Sequence, residues 1–457
     1  MAQGAALAVL RYRTLTFRGS VSGREWQSIV FVTNYAMPIR AVLAASLLSL
    51  PALLQAARPP PNPVQTVALR KQRVPVIRGS RIVANKTAYF GSVRVGLPTP
   101  QVFTVLFDTG SGHFILPSSS CESTSCARHR RYRRELSASA RAIDYDGTPV
   151  PAGAAELDTV DISFGTGEVS GPFVEELVCF GEGQGAQLDE ASSQDGCLSL
   201  RVVTAWSMTE DPFQHFDFDG VAGLGLEALA LHSNFSLVAQ LSQLSPSGQS
   251  YFGVFLARGD NELSEISFGG HNPDKLSGPL AWAPVQAPEL GYWQVQVRGV
   301  RVGDKPIDLC ADGSCTAVLD TGTSMLGVPQ EAASSLHRAL ARPLPRGSAM
   351  AAGLDCRRFA GPPIIFDLGD VVVRLEAEDY SRPTPAVARG NQALCRASLL
   401  PVAMGAPLGS KTFVFGEPVL RRYYTAYDWK RMRIGFASAR QPLAMTPPTA
   451  EAASLAV

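Results

Sequence analysis

The most informative stretch of this sequence is Phe103-Thr-Val-Leu-Phe-Asp108-Thr109-Gly110-Ser111-Gly112, an apolar run that ends abruptly in Asp-Thr-Gly. The other half of the chain repeats the pattern as Cys315-Thr-Ala-Val-Leu-Asp320-Thr321-Gly322-Thr323-Ser324. Apolar runs of this composition favour buried strands, and the glycine after each aspartate allows a tight turn. Each carboxylate is therefore expected on a loop at the end of a strand, with hydroxyl groups beside it.

One Asp-Thr-Gly is a weak signal, because all three are ordinary turn residues. Two copies in matching apolar settings argue against two unrelated strand-to-turn transitions. The duplicated pattern resembles the pepsin-like aspartic proteases, whose two lobes each contribute one such loop to a single cleft. The resemblance covers roughly residues 85–440. It implies a mainly β, bilobal fold with two β-barrel-like lobes, related by pseudo-two-fold symmetry around a central cleft.

The resemblance assigns catalysis to Asp108 and Asp320. The other residues of the two loops are expected to support this pair: Thr109, Gly110, Ser111, Thr321, Gly322 and Thr323. By the same resemblance, Ser111 and Thr323 hydrogen-bond the outer carboxylate oxygens. Thr109 and Thr321 are expected to tie the two loops together across the lobe interface.

A hairpin is predicted at Asp161-Ile-Ser-Phe164-Gly165-Thr166-Gly167, where two extended runs meet at Gly-Thr-Gly. It resembles the family's flap, the hairpin that closes over bound peptide, and this assigns Phe164, Gly165 and Thr166 to substrate binding. The family's flap tyrosine is Phe164 here, and the tryptophan seven residues after the first catalytic aspartate is Ile115. Those two family side chains hydrogen-bond each other. We therefore expect a flap restrained by apolar contact between Phe164 and Ile115 alone.

An apolar segment that ends in glycine follows each Asp loop. The first is Phe218-Asp-Gly-Val-Ala-Gly-Leu-Gly-Leu, and the second is Phe413-Val-Phe-Gly-Glu417. Both resemble the family's strand that supports the Asp loop from behind. The repeat is therefore expected to have two parts in each lobe.

The 457 residues exceed one typical core, so two domains are expected. Residues 1–80 carry ten Lys/Arg and one acid, Glu25, which leaves a net negative charge on the rest of the chain. A basic head on an acidic body indicates a removable, charge-complementary segment rather than a nucleic-acid-binding protein. We divide the chain into an N-terminal extension and leader (1–57), a basic prosegment (58–80), an N-terminal lobe with the first Asp loop and flap (81–265), a C-terminal lobe with the second Asp loop (266–440) and a flexible tail (441–457).

The leader is predicted from Met37 onward, where Arg40 precedes an apolar run over 41–54. That run is short for a membrane span, and an uncleaved signal anchor, with membrane contact through the leader, remains the alternative. Residues 1–36 are either a transit-like extension or the product of an upstream start codon. Within 58–80, Lys71 is a candidate for the lysine with which the family's prosegment covers the two aspartates, and a flexible basic linker is the alternative.

Three further motifs are interpreted as loops. The basic cluster Arg128–Arg134 is expected to be a solvated loop that includes framework residues, although contact with an acidic substrate or a processing protease is the alternative. Gly181–Ala186 fits a loose dinucleotide pattern, but no helical segment follows it. Arg258-Gly-Asp260 is better explained as a turn between strands than as an adhesion site.

The eight cysteines allow 105 disulfide connectivities by sequence alone. Pairing of sequence neighbours gives Cys121–Cys126, Cys179–Cys197, Cys310–Cys315 and Cys356–Cys395. The first, third and fourth match loops that are bridged in pepsin-like enzymes, and the second would close a Gly-rich loop. A zinc interpretation of the two C-x4-C pairs lacks matching ligands nearby, and the six histidines show no ligand spacing. We therefore expect no metal and no cofactor, and we read His113 as a loop residue.

Asn85-Lys-Thr87 and Asn234-Phe-Ser236 are glycosylation acceptors by pattern. Together with the leader and the disulfides they predict the secretory route. The destination would be an acidic lysosome- or vacuole-like compartment or the extracellular space. The expected partners are protein or peptide substrates, with no nucleic acid and with a monomeric chain.

Two carboxylates held a few ångströms apart can activate water and protonate a leaving amine, because like charges so close share one proton. The sequence therefore predicts an aspartic endopeptidase, active at acidic pH and made as a zymogen. A catalytically silent homologue that binds peptides or inhibits another enzyme is the alternative. A glycosidase with paired carboxylates is a third class, but it gives no reason for the duplicated loops.

Overall fold

The structure of the chain is a computed structural model. It describes residues 65–78, 81–154, 157–165, 167–180, 197–243, 250–259, 262–344, 354–387 and 393–441. The predicted leader, the Gly181–Ala186 loop and the tail beyond residue 441 lie outside the described residues.

Strands dominate the described residues, as the duplicated apolar runs predict. The strands of the first half are β1 (Gln65–Arg78), β2 (Arg81–Val95), β3 (Gln101–Asp108), β4 (Phe114–Pro117), β5 (Arg141–Ile143), β6 (Thr159–Phe164), β7 (Gly167–Cys179), β8 (Cys197–Ala205), β9 (Ser207–Met208), β10 (Gly220–Gly223), β11 (Tyr251–Phe255) and β12 (Ser264–Phe268). The boundary predicted between residues 265 and 266 falls inside β12.

The second half continues this pattern. Its strands are β13 (Leu276–Pro284), β14 (Gln294–Gln296), β15 (Gly299–Val302), β16 (Lys305–Ile307), β17 (Thr316–Leu319), β18 (Leu326–Pro329), β19 (Arg342–Pro343), β20 (Ile364–Asp367), β21 (Val372–Leu375), β22 (Ala386–Val387), β23 (Ala393–Cys395), β24 (Leu399–Val402), β25 (Thr412–Phe415), β26 (Tyr423–Asp428) and β27 (Arg433–Ala439). The α-helices are short: α1 (Thr124–Ala127), α2 (Leu237–Gln243), α3 (Gln330–Leu340), α4 (Ala377–Tyr380) and α5 (Glu417–Arg422).

The largest sheet runs through both halves of the chain in the order β13-β27-β26-β11-β12-β1-β2-β3-β10-β4-β8-β7-β5, and β6 and β9 pair with β7. Three smaller sheets complete the second half, in the orders β14-β17-β25-β18-β24, β16-β15-β20-β21 and β19-β23-β22. Strands β13, β27 and β26 of the second half thus join this continuous sheet through the pairing of β26 with β11.

The internal repeat is visible in the strand order around the two Asp loops. In the first half, β10 is parallel to β3 and antiparallel to β4, and β4 is parallel to β8. In the second half, β25 is parallel to β17 and antiparallel to β18, and β18 is parallel to β24. The orders β3-β10-β4-β8 and β17-β25-β18-β24 are therefore equivalent. In each set the glycine-containing apolar segment supports the Asp loop, as the sequence predicts.

Strand β1 belongs to the interior of the large sheet. Its first half pairs with β12 and its second half forms a hairpin with β2. Val67 and Leu69 are buried in the core, and a Cβ added to Gly91 of β2 would lie 2.6 Å from Val67. The described part of the predicted prosegment is therefore an integral strand in this state of the chain.

Lys71 does not occupy the place that the resemblance implies. Its ammonium lies 4.0 Å from a carboxylate oxygen of Glu417 and 5.8 Å from the ring centroid of Tyr89, and Lys71 does not line the cavity that contains the two aspartates. The expectation that this lysine covers the catalytic pair is wrong, because β1 runs within the sheet and directs the side chain to the start of α5.

The eight cysteines form four disulfides, and these are the four neighbouring pairs expected from the sequence: Cys121–Cys126, Cys179–Cys197, Cys310–Cys315 and Cys356–Cys395. Cys179 and Cys197 are also partners in the register of β7 and β8. This second disulfide therefore closes the segment between those two strands.

The basic cluster is anchored to the framework by its less exposed members. Buried Asp219 accepts a hydrogen bond from the Arg130 backbone at 2.8 Å and from the Thr104 backbone at 2.8 Å. The Tyr132 hydroxyl donates to buried Glu176 at 2.6 Å. The arginine side chains of this loop are exposed, which agrees with a solvated loop that contains framework residues.

Candidate active site

The two Asp loops are in direct contact, and the hydroxyl group of each loop's threonine hydrogen-bonds to the backbone of the other loop. The Thr109 amide donates to the Thr321 hydroxyl at 3.0 Å, and the Thr321 amide donates to the Thr109 hydroxyl at 3.0 Å. The Thr109 hydroxyl in turn donates to the Leu319 carbonyl at 2.9 Å, and the Thr321 hydroxyl donates to the Phe107 carbonyl at 2.6 Å. These reciprocal bonds hold two strand ends more than two hundred residues apart in one rigid unit.

The carboxylates of Asp108 and Asp320 lie side by side at this junction, and both residues are buried. The backbone amide of Gly110 donates to Asp108 at 3.0 Å, and that of Gly322 donates to Asp320 at 2.8 Å. A Cβ on Gly322 would lie 2.8 Å from an oxygen of Asp108 and 3.2 Å from one of Asp320. Glycine is therefore required at this position for the two carboxyl groups to approach each other.

The hydroxyl groups beside the pair differ between the loops. Thr323 donates a hydrogen bond from its hydroxyl to the second oxygen of Asp320, as expected. The buried Ser111 hydroxyl has no hydrogen-bond partner within the described part of the chain. The expectation that Ser111 binds the outer oxygen of Asp108 is therefore wrong in this state.

Burial and the neighbouring charge act together on the second carboxyl group. Desolvation is the main cause that raises the pKa of Asp320 well above its usual range, and the charge of Asp108 raises it further. The hydrogen bonds from Thr323 and from the Gly322 amide oppose this shift. The pair therefore retains a proton at pH values where an isolated aspartate is ionised.

A cavity opens directly onto the pair. Its wall is mainly apolar on the side of the first lobe, and it is lined by Lys86, Thr87, Ala88, Leu106, Asp108, Phe164, Gly165, Pro212, Phe213, Phe216, Phe218, Val221, Asp320, Gly322 and Ser324. Convergent acids lie at one end of this cavity and aromatic rings lie along its wall, which is the usual character of a ligand-binding site.

The predicted hairpin is present and reaches this cavity. Strands β6 and β7 pair up to Phe164 and Gly167, and Gly165 adopts a positive φ of 22° at the tip. Thr166, predicted as part of the flap, lies outside the described residues. Phe164 and Gly165 both line the cavity, whereas Ile115 lies behind it in β4.

Phe164 makes an aromatic contact that the sequence did not predict. Its ring meets that of Phe213 edge to face, with centroids 5.7 Å apart. Buried Ile115 belongs to the same apolar cluster but is paired through its backbone with Val221 of β10. Phe164 is thus restrained by apolar contact with a ring from the segment after β9. The expectation that apolar contact alone restrains the flap is wrong, because the Glu168 amide also donates to the Thr209 hydroxyl at 2.9 Å.

Two residues near the pair were not assigned roles from the sequence. His113 is buried, accepts a hydrogen bond at Nε2 from the Leu231 amide at 3.1 Å, and burial lowers its pKa to about 4. Lys86 lines the cavity and forms an ion pair with Asp211 at 3.1 Å. Neither contact has a local sequence signal, because the partners are more than one hundred residues away in the chain.

The described ranges contain no group of three or more His, Cys, Asp or Glu side chains that could hold a metal ion. None of the helices described there is long and apolar enough to cross a membrane.

Comparison with known proteins places this geometry in context. The sequence profile of the family described as eukaryotic aspartyl protease matches residues 88–439, close to the range that the resemblance covers. Pepsin-2B of Gadus morhua is 28% identical over 357 residues, which are 77% of this chain and 96% of that protein. Gastricsin of Homo sapiens is 28% identical over 355 residues, 77% of this chain and 81% of that protein. A renin of Echis ocellatus is 28% identical over 357 residues, 77% of this chain and 80% of that protein.

Proposed function

Because the chain belongs to the eukaryotic aspartyl protease family, we propose that it is an aspartic endopeptidase that uses Asp108 and Asp320 to hydrolyse internal peptide bonds of proteins. The observation that carries this proposal is the buried pair of carboxyl groups on two loops joined by reciprocal threonine bonds. A chain that only bound peptides would have no need of two acids forced into mutual contact.

Sharing of one proton between such carboxyl groups is a general property of aspartic proteases. The ionised member of the pair takes a proton from a water molecule, which attacks the peptide carbonyl carbon. The protonated member donates its proton to the carbonyl oxygen as the tetrahedral intermediate forms. Collapse of that intermediate breaks the C–N bond, and the amine leaves with the proton that the ionised carboxyl group had taken from water. No covalent intermediate with the enzyme is required.

The proton on the pair determines the pH range of activity. The reaction needs one proton on two carboxyl groups, so activity is lost when that proton dissociates. Burial raises the pKa of Asp320, so the pair keeps its single proton to a higher pH. At the acid limit both carboxyl groups are protonated and activity is lost. We propose activity in the acidic range.

We also propose synthesis as a zymogen that enters the secretory route, with residues 58–80 as the basic prosegment. The four disulfides support an oxidising compartment, and Asn85, a proposed glycosylation site, is exposed. Since Val67 and Leu69 are buried, a cleavage that activates the chain must leave β1 bound or give its place to another segment.

The decisive test replaces each carboxyl group by an amide. Asp108→Asn and Asp320→Asn should each lower kcat for a denatured protein substrate by at least about a hundredfold, because an amide cannot share the proton. Asp304→Asn, at an exposed position in the turn between β15 and β16, is the matched control and should retain full activity. The assay covers acidic to neutral pH with and without a statine-type inhibitor.

Either amide variant with near wild-type turnover would show that the pair is not the catalytic centre. An inactive wild-type chain that still binds the statine compound would instead identify a silent peptide-binding homologue. Thermal unfolding of each variant separates loss of chemistry from loss of the fold.

A further inference from the structure

A lysine lies in the cavity of the proposed catalytic pair. Among the described residues that line this cavity, Lys86 is the only cation, and seven of its neighbours there are Ala, Val, Leu or Phe side chains. The two acids in the lining, Asp108 and Asp320, are the proposed catalytic groups. Lys86 thus brings a positive charge to the edge of a cavity whose lining is mainly apolar.

The backbone that carries Lys86 is fixed to the second Asp loop. The Thr87 amide donates to the Ser324 hydroxyl at 2.7 Å, and that hydroxyl donates to the Thr87 carbonyl at 2.9 Å. Ser324 itself lines the cavity four residues after Asp320. The Cα of Lys86 therefore has a defined position relative to the catalytic pair, and only its side chain is adjustable.

The present partner of Lys86 is a carboxylate that faces solvent. Its ammonium lies 3.1 Å from Asp211, whose side chain is 48% exposed, whereas the Lys86 side chain is 17% exposed. Ion pairs with a partner so exposed are screened by water and contribute little to stability. A lysine ammonium has three donor hydrogens, so a second carboxylate can join or replace Asp211 at little cost.

The segment that carries Asp211 also contacts the flap. A Cβ on Gly167 would lie 2.6 Å from the Asp211 carbonyl oxygen, and the Glu168 amide donates to the Thr209 hydroxyl at 2.9 Å. Pro212 and Phe213 follow directly and line the cavity. The ion pair therefore lies between β2 and the segment that contacts the flap beside its tip.

We infer that Lys86 is a specificity-determining residue that selects substrates with a glutamate side chain in this cavity. The inference rests on the proposed endopeptidase function. The methylene groups of glutamate suit the apolar wall, and its carboxylate accepts charge-assisted hydrogen bonds from the Lys86 ammonium. Asp211 opposes this selection, because it competes for the same donor and repels a second carboxylate.

The test compares glutamate with glutamine in two readouts. The first is the cleavage-site profile of a peptide mixture, which should show glutamate enriched at one position relative to the cleaved bond. The second is the affinity of statine-containing peptides that carry Glu or Gln at successive positions. At the position that enters the cavity, the wild-type chain should prefer Glu over Gln by about tenfold.

Three substitutions should move this ratio in different directions. Lys86→Met should bring the Glu/Gln ratio to about one, and Lys86→Glu should bring it below one, because the new carboxylate repels the glutamate side chain. Asp211→Asn should increase the ratio, because it removes the competing carboxylate. Lys411→Met, which removes an ion-paired lysine outside this cavity, is the control and should leave the ratio unchanged. The wild-type preference should also fade as the pH drops through the pKa of the ligand's glutamate, about 4.3.

The outcomes separate the two proposals. If both the wild type and Lys86→Met cleave peptides with the same Glu/Gln ratio, the role of Lys86 is overturned and the endopeptidase function stands. Glu-selective binding that depends on Lys86, without any cleavage, supports the role of Lys86 and overturns the endopeptidase function. Absence of selective binding to every peptide overturns the inference.

Discussion

The two Asp loops share a backbone and differ in the side chains that surround it. In both, the amide of the glycine after the acid binds the carboxylate, and the threonine between them binds the opposite loop. Only the second loop adds a hydroxyl bond, from Thr323 to Asp320, while the Ser111 hydroxyl lacks a partner among the described residues. The symmetry therefore belongs to the backbone framework, and the side chains make the two carboxyl groups chemically distinct.

The position five residues after each aspartate shows a second difference. It is His113 in the first loop and Met325 in the second. His113 is buried against the ring of Phe235, with centroids 5.8 Å apart, and its Nε2 accepts from the backbone of Leu231. The first loop thus contains a titratable group that must remain neutral in the fold, and the second has no equivalent at that position.

The backbone framework that the two loops share is tested by removing the reciprocal hydrogen bonds of Thr109 and Thr321. Thr109→Val and Thr321→Val should each lower the unfolding free energy by about 2–5 kcal/mol, because each leaves an amide and a carbonyl buried without partners. The two losses should agree within about 1 kcal/mol if the framework is symmetric. Denaturant unfolding measures both. Thr204→Val is the control, since among the described residues that buried hydroxyl donates to the Pro172 carbonyl and does not join the two loops. A loss in only one variant would show that the cross-connection is not reciprocal.

The histidine of the first loop should make stability depend on pH. Its folded pKa of about 4 lies below the unfolded value of 6.5, so the unfolded chain binds more protons as the pH falls. The contribution of neutral His113 to the free energy of unfolding is therefore fully present above pH 6.5. As the pH falls to 4, this contribution of about 3 kcal/mol is lost. His113→Gln should remove this part of the pH dependence of the unfolding free energy.

The control for this prediction is His215→Gln, at an exposed position. The difference between wild type and variant, measured from pH 7 to 4, cancels the contribution of the carboxylates. A pH-independent difference for His113→Gln would mean that the imidazole is not kept neutral by burial. Since the proposed enzyme acts in acid, this histidine would set a lower pH limit for the stability of the first loop.

The smallest expected effect concerns the hydroxyl groups. Thr323→Val removes a donor that lowers the pKa of Asp320, so that pKa should rise further and the alkaline limb of the pH–activity profile should move to higher pH. We expect kcat/KM to fall about tenfold, in line with one lost hydrogen bond to a charged group. Ser111→Ala, the matched change in the first loop, should alter kcat/KM by less than about twofold. Equal losses in both variants would show that the Ser111 hydroxyl binds the pair during catalysis.

Much of the fold could be predicted because its signals are local. The apolar runs before Asp108 and Asp320, the hairpin at Gly165 and the four neighbouring cysteine pairs each depend on a few consecutive residues or on a closed loop. The composition of a strand and the backbone freedom of glycine act over that range. The duplication of one local signal also indicated two related lobes, and the matching strand orders agree with it.

The partners of individual side chains were decided by the tertiary structure. Lys86 and Asp211 are 125 positions apart, and Thr109 and Thr321 are 212 apart. Whether Lys71 faces Glu417 or the catalytic pair depends on the register of β1 in the sheet. Composition and periodicity place a residue on a strand or in a turn. Which distant charge that side chain meets depends on how the strands pair. A shift of one residue in register turns the side chain to the opposite face of the sheet.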